Sequence, residues 1–294
     1  MTYDVIIIGG SYAGLSAALQ LARARRSILV VDAGVRRNRF ARGSYGFLGQ
    51  DGREPGAIVD EARAQLMRYD TVEWHPGTAA KAEGSAGRFR VTTDEGEEFE
   101  ARLLVLATGV RDTLPEIAGI AERWGRSVYH CPYCHGYELN RGRIGVLATS
   151  RNSMHQALML PDWGTTTLFL NDVFEPDDSE LEQLGDRGVE IERGPVERIG
   201  GTADIVLRDG RTVVCDGLFV ASFTDLASPI ADQLGCGFEQ GPLGRFIRVD
   251  GMKETSVPGV FACGDTARGA GSVALAVGDG TMAGVSAHRT LMFG

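Results

Sequence analysis

The chain opens on an uninterrupted apolar run. Asp4 is followed by Val5-Ile6-Ile7-Ile8, the pattern of a parallel strand buried on both faces. The pattern then changes three times within about twenty-five residues. Gly9-Gly10-Ser11-Tyr12-Ala13-Gly14 is a tight turn, Leu15 to Ala24 is rich in alanine and leucine and predicts a helix, and Ile28-Leu29-Val30-Val31 is a second buried strand ending at Asp32. Strand, turn, helix and strand in this order form one dinucleotide-binding unit.

A weaker copy follows. Arg143-Ile144-Gly145-Val146-Leu147 predicts a strand, Ala148-Thr149-Ser150-Arg151-Asn152-Ser153 stands where the turn belongs, and Met154 to Leu160 predicts a helix broken by Pro161. Thr167-Leu168-Phe169-Leu170 is its second strand, ending at Asn171-Asp172. Placing Gly9 on Ala148 puts Asp32 on Asn171 without a gap, so an internal duplication is the simplest reading. Two further apolar runs end in short loops: Leu103-Leu104-Val105-Leu106 meets Ala107-Thr108-Gly109, and Gly259-Val260-Phe261-Ala262-Cys263 meets Gly264-Asp265. If both runs lie beside the first strand, the first domain is discontinuous. The expected architecture is α/β: two Rossmann-like domains, residues 1–113 with 243–294, and residues 114–242 inserted between them.

Composition narrows the class. With 294 residues the chain can form two modest cores. A net charge of -9 argues against nucleic acid and anionic membrane surfaces as partners. No apolar run approaches membrane-spanning length. The N-terminus leads straight into a strand without a signal peptide, which predicts a cytoplasmic protein. Five cysteines, three of them isolated (Cys215, Cys236 and Cys263), do not make a secreted disulfide framework. These three read as small buried apolar residues.

In a G-x-G-x-x-G turn the first glycine allows the bend, the second admits a pyrophosphate and the third lets helix and strand pack closely. Here Gly9 and Gly14 hold the outer positions and Ser11 the middle one. Tyr12 and Ala13 complete the turn, with phosphate expected at the helix N-terminus. Asp32 is placed to accept from ribose hydroxyls and disfavours a 2′-phosphate, so the ligand is FAD or NAD rather than NADP. Thr108, Gly109, Gly264 and Asp265 follow in the order of an FAD frame, with Asp265 expected on the ribityl chain. A helix beginning at Val273 and Ala274 is expected to aim its N-terminus at the flavin.

The second piece of chemistry is Cys131-Pro132-Tyr133-Cys134. Two cysteines at this spacing can close a small disulfide, and a helix start lowers a thiol pKa. Three rival readings exist: haem attachment through Cys131 to His135, a zinc half-site, and a glutaredoxin motif. Haem attachment normally requires export, zinc lacks a second ligand pair, and a glutaredoxin motif belongs at the start of a small domain. A redox-active pair is the expectation, with no metal. His135 follows Cys134 and can hold the proton that thiol chemistry releases; His130 is expected to cap the helix or face solvent.

These motifs, taken in order over nearly the whole chain, resemble low-molecular-weight thioredoxin reductase. They include Thr255-Ser256-Val257-Pro258-Gly259-Val260 leading into Gly264-Asp265. The resemblance implies FAD as cofactor, Cys134 as the flavin-side thiol, Cys131 as the interchange thiol and a homodimer. Where that family has an acidic residue after the second cysteine, this chain has His135. The family's glycine-rich NADPH turn is replaced by residues 148–153, and its histidine-arginine-arginine cluster falls on Leu170, Asn171 and Asp172. The segments 131–138 and 46–52 resemble more closely a branch that contains the dithiol oxidases closing the disulfides of gliotoxin and holomycin, and reductase-like flavoproteins without a nicotinamide site.

Three functions follow as expectations. The first is an FAD-dependent dithiol oxidase passing electrons from a small-molecule or protein dithiol through Cys131 and Cys134 to flavin and O2. The second is a disulfide reductase supplied by NAD(P)H, ferredoxin or another flavin. The third is a non-catalytic flavin-binding sensor.

Overall fold

A computed structural model describes residues 2–294. The first strand, β1 (Thr2–Ile8), runs into helix α1 (Tyr12–Arg23) and strand β2 (Ile28–Asp32), as the hydrophobic pattern predicts. β1 lies between β2 and the strand Glu98–Leu106, parallel to both. The strand Val72–Pro76 extends the sheet beyond β2. Val260–Ala262 pairs with Leu104–Leu106 rather than with β1 itself, one position further out than the sequence reading placed it. The side chains of Val5, Ile7, Val30, Val105 and Phe261 are fully or almost fully buried beneath α1 and the C-terminal helix Val273–Phe293.

The second sheet repeats this plan. Its parallel order is Glu190–Glu192, Gly164–Phe169, Arg141–Leu147, Gly217–Val220 and Val128–Tyr129. Arg141–Leu147 takes the place of β1, and Gly164–Phe169 that of β2. A helix over Ser153–Met159 connects them, and a short 3-10 turn at Leu160–Asp162 follows. The chain passes between modules along a two-stranded antiparallel ribbon, Val110–Thr113 against Phe223–Leu226. Residues beyond this ribbon turn back to the first module: Ile230, Ala231, Cys236 and Ile247 are buried with Ile6, Leu104 and Val260. Residues 226–242, which the sequence reading placed in the inserted module, therefore pack on the other core. Nothing in their sequence marks the change, because they form only one short helix and half a hairpin.

Among the described residues no helix is long and apolar enough to cross a membrane.

The two long helices of the first module meet through glycine. A Cβ on Gly284 would lie 2.5 Å from the Ala17 carbonyl oxygen, and one on Gly280 would lie 2.1 Å from that of Ala13. Backbone atoms cannot step aside as a side chain can. Gly284→Val is expected to destabilise the fold by about 3 kcal/mol through overpacking, read as a lowered midpoint in thermal unfolding. An unchanged midpoint would show that the helices can separate freely.

Candidate functional site

Four loops converge at the C-terminal ends of the first module's strands, where open α/β sheets bind their ligands. The turn after β1 is held by Gly9, at φ +104°, whose Cβ position is filled by the Ala107 carbonyl oxygen at 2.3 Å. Gly14 is needed for a different reason: its Cβ would fall 1.8 Å from the Gly9 oxygen, so only glycine lets α1 start this close to the strand. Ser11 is the N-cap of α1 but gives no side-chain cap, which leaves the first N–H groups of the helix available to an anion.

At the end of β2 one Asp32 oxygen accepts from the Gly10 N–H at 2.9 Å. Its other oxygen remains for a ribose hydroxyl. Thr108 reaches across to Thr266, Oγ1 to Oγ1 at 3.2 Å, and joins the loop holding Gly109 to the one holding Gly264 and Asp265. The C-terminal helix starts at Val273, capped by Ser272 Oγ accepting from the Leu275 N–H, with Ala274 exposed in its first turn.

Sequence reasoning missed a second set of residues on this side. Asn38 donates to the Tyr12 hydroxyl at 3.1 Å, and Tyr12 donates to the Pro55 carbonyl. Asn38 Oδ1 and Arg36 Nε are buried with no protein partner. Buried polar atoms are rarely left unpaired in a finished protein, and two beside a phosphate-type turn fit a bound dinucleotide. The run Arg36-Arg37-Asn38-Arg39, in the loop after β2, was the available signal. Together with the glycine cradle and the free Asp32 oxygen, these atoms fit FAD.

The thiols sit on the inserted module. Cys131 is the N-cap of a single helical turn, Pro132–His135. The two Sγ atoms are 2.9 Å apart and unbonded. The Cys134 thiol donates to Cys131, and this lowers Cys131 to about 7 against the effect of burial, helped by the N–H groups of Cys134 and Tyr133. The same hydrogen bond, with burial, pushes Cys134 up. Cys131 is therefore the easier of the two to ionise near neutral pH, which suits the thiol that meets an external disulfide or dithiol.

Packing fixes this turn in place. Trp163 meets the Tyr133 ring edge-on at 5.3 Å and lies where a Cβ on Gly136 would go. His135 stacks on Tyr129 with ring centroids 4.4 Å apart and meets Tyr45 of the first module edge-on at 6.2 Å. Burial lowers His135 to about 4, and its Nε2 has no protein partner. It is a neutral imidazole at physiological pH and a weak base, since burial penalises its protonated form. Tyr45 belongs to the loop that includes residues 46–52.

His130 departs from expectation. Instead of facing solvent it is half-buried, with Nδ1 3.4 Å from Ser222 Oγ. Ser222 donates to Asp112 at 2.8 Å, and Asp112 receives a two-pronged contact from Arg37. Burial and the Arg37 charge both lower the His130 pKa. Cys215, Cys236 and Cys263 are buried, as expected. Among the described residues no cluster of His, Cys, Asp or Glu is placed to hold a metal ion.

Comparison with known proteins agrees with this geometry. The family of pyridine nucleotide-disulphide oxidoreductases matches residues 3–151 and 169–280. Two fungal proteins named thioredoxin reductase, tcpT of Claviceps purpurea and sirT of Leptosphaeria maculans, are each 33% identical to this chain. The matches cover 98% and 96% of this chain and 94% and 92% of theirs. A crystal structure of an oxidoreductase from Agrobacterium tumefaciens is 57% identical, with a TM-score of 0.98 over 100% of this chain and 99% of that one. The crystal structure of HlmI is 36% identical, with a TM-score of 0.92 over 99% and 93%.

Proposed function

The chain belongs to the pyridine nucleotide-disulphide oxidoreductase family and is an FAD-dependent thiol-disulfide oxidoreductase, and from that premise we propose that it oxidises dithiols with O2 and without NAD(P)H. The observation that carries this reading is the state of the second module's turn beside an intact thiol pair. Thr149 N–H donates to Ser153 Oγ at 3.1 Å, and Thr149 Oγ1 donates to the Ala221 carbonyl at 2.8 Å. Arg151 folds away onto Glu180, with contacts of 3.0 and 2.6 Å. These side-chain contacts stand where the first module has its glycine turn, which supports a reading without a bound pyrophosphate. Further along, Asn171 Oδ1 is taken by the Val196 N–H, and Asp172 puts a negative charge at a position where the resembled family carries a cation for the 2′-phosphate.

The sulfur chemistry follows from the pair's asymmetry. In the oxidised pair, a substrate thiolate attacks Cys131 Sγ, the Cys131–Cys134 bond breaks, and Cys134 leaves as a thiolate. The second substrate thiol then attacks the mixed disulfide, closes the substrate's own disulfide and releases Cys131. His135, next to Cys134, serves only as a transient relay of a thiol proton toward solvent, because burial keeps its imidazole neutral and the proton does not rest there. Bound FAD supplies a two-electron acceptor for the reduced pair, and O2 receives those electrons with two protons as hydrogen peroxide. Gly9, Ser11, Tyr12, Ala13, Gly14 and Asp32 would hold the nucleotide half, and Thr108, Gly109, Gly264, Asp265, Val273 and Ala274 the flavin half.

A second copy of the chain is the expected partner. The C-terminal helix exposes Leu275, Met282, Val285 and Met292 at intervals of seven, three and seven residues, an apolar stripe along one face of the helix.

The decisive measurement is oxygen uptake by the purified flavoprotein given dithiothreitol as a small dithiol. One O2 consumed and one peroxide formed per disulfide is expected. Absent uptake, with flavin reduced by NADPH, would return the protein to the reductases.

A further inference from the structure

A single guanidinium spans the flavin side and the thiol side of the site. Arg37, in the loop after β2, places Nε and Nη2 on Asp112 at 2.9 and 2.6 Å and Nη1 on Asp265 Oδ2 at 2.8 Å. Asp112 belongs to the ribbon between modules, and its side chain is only 7% exposed. Its Oδ1 also accepts from Ser222 Oγ, which lies against His130 Nδ1, and His130 directly precedes Cys131. Arg37, His130, Asp265 and Arg268 line one small cavity. Four segments far apart in sequence are thus joined through one side chain.

We propose that Arg37 is a positioning residue that holds Asp265 and the Asp112–Ser222–His130 chain in one fixed arrangement around the thiols. The proposal rests on the reading of Cys131 and Cys134 as the electron-carrying pair. Lysine could not replace Arg37 in full, because one ammonium cannot present a fork to one carboxylate while reaching a second. Arg37 also has an electrostatic task. The charged groups around His130 are Arg37, Asp112 and Asp265, and Arg268 lines the same cavity with its own charge held by Asp279. Cys131 feels Cys134 and Arg37. Asp265 opposes ionisation of Cys134, and Arg37, paired with both Asp265 and the buried Asp112, acts on both thiols in the opposite direction.

The test uses the reduced holoprotein and reads the pH dependence of Cys131 alkylation by iodoacetamide, followed on the Cys131 peptide by mass spectrometry. FAD content and thermal midpoint are the controls for folding. In Arg37→Met the alkylation profile is expected to move to higher pH, slowing reaction at neutral pH by about three- to tenfold. Arg37→Lys is expected to recover part of the shift. Asp112→Asn, which keeps the positive charge and removes one carboxylate, is expected to move the profile the other way, and it decides the question if Arg37→Met does not fold. A loss of stability alone would not give shifts of opposite sign. Profiles unchanged in folded, FAD-loaded variants overturn the proposal and leave the electron-transfer reading standing. Failure of wild-type Cys131 and Cys134 to form a disulfide in air overturns that reading and the proposal together.

Discussion

Replacing Cys134 with serine is expected to abolish dithiol-driven oxygen uptake, by more than about a thousandfold, while FAD stays bound. A pair that must close and open a disulfide cannot work with one sulfur, since a hydroxyl at pH 7 is neither a usable nucleophile nor a leaving group here. Cys131→Ser should be as inactive, yet the two variants are expected to differ in their remaining thiol. Cys131 is held low chiefly by the hydrogen bond from Cys134, so removing that donor should raise its ionisation range. Cys134 is held high chiefly by its bond to Cys131, so its range should fall in the other variant. Alkylation rates against pH for the two single-cysteine forms measure both movements. Equal profiles would mean that the asymmetry is not set by the pair, and residual turnover in Cys134→Ser would remove the disulfide from the mechanism.

NADPH is expected to leave the oxidised flavin unbleached under nitrogen over minutes, at concentrations that saturate a nicotinamide-dependent reductase. A 2′-phosphate needs cationic partners, and charged hydrogen bonds are worth about 1.5–3 kcal/mol each. Losing two of them weakens binding by roughly a hundredfold to ten-thousandfold before the occupied turn is counted. The turn adds more, because a phosphate would have to displace Ser153 Oγ from the Thr149 N–H and find room beside Thr149 and Ser150. Substituting glycine at Thr149 and Ser150 is expected not to restore reduction, since Asp172 and the Arg151–Glu180 pair remain. Rapid bleaching of the wild-type protein by NADPH would defeat this view outright.

The hydrophobic pattern of the chain exposed what is local. The runs before Gly9 and Ala148 gave both halves of the fold, because a parallel strand and the turn after it are written in consecutive residues. The same holds for Cys131 and Cys134. What stayed hidden is made by pairing across long separations. Arg37 meets Asp112 at a separation of 75 residues and Asp265 at 228, and no spacing rule links a loop arginine to either. His130 was misjudged for the same reason. Beside a helix of one turn it reads as a cap, and only the fold brings Ser222, 92 residues away, to its ring. Trp163 follows a proline in a segment without any motif, so its place behind Tyr133 and Gly136 is visible only in three dimensions.

The ribbon that joins the modules has a consequence for dissecting the molecule. Both chain crossings lie in it side by side, and Thr113 stands directly opposite Phe223. A two-residue hairpin turn spliced between those positions would excise residues 114–222 as one block and leave the severed ends where they already are. The ribbon is thus a single seam, where one splice removes the thiol-bearing insert and both of its chain crossings together.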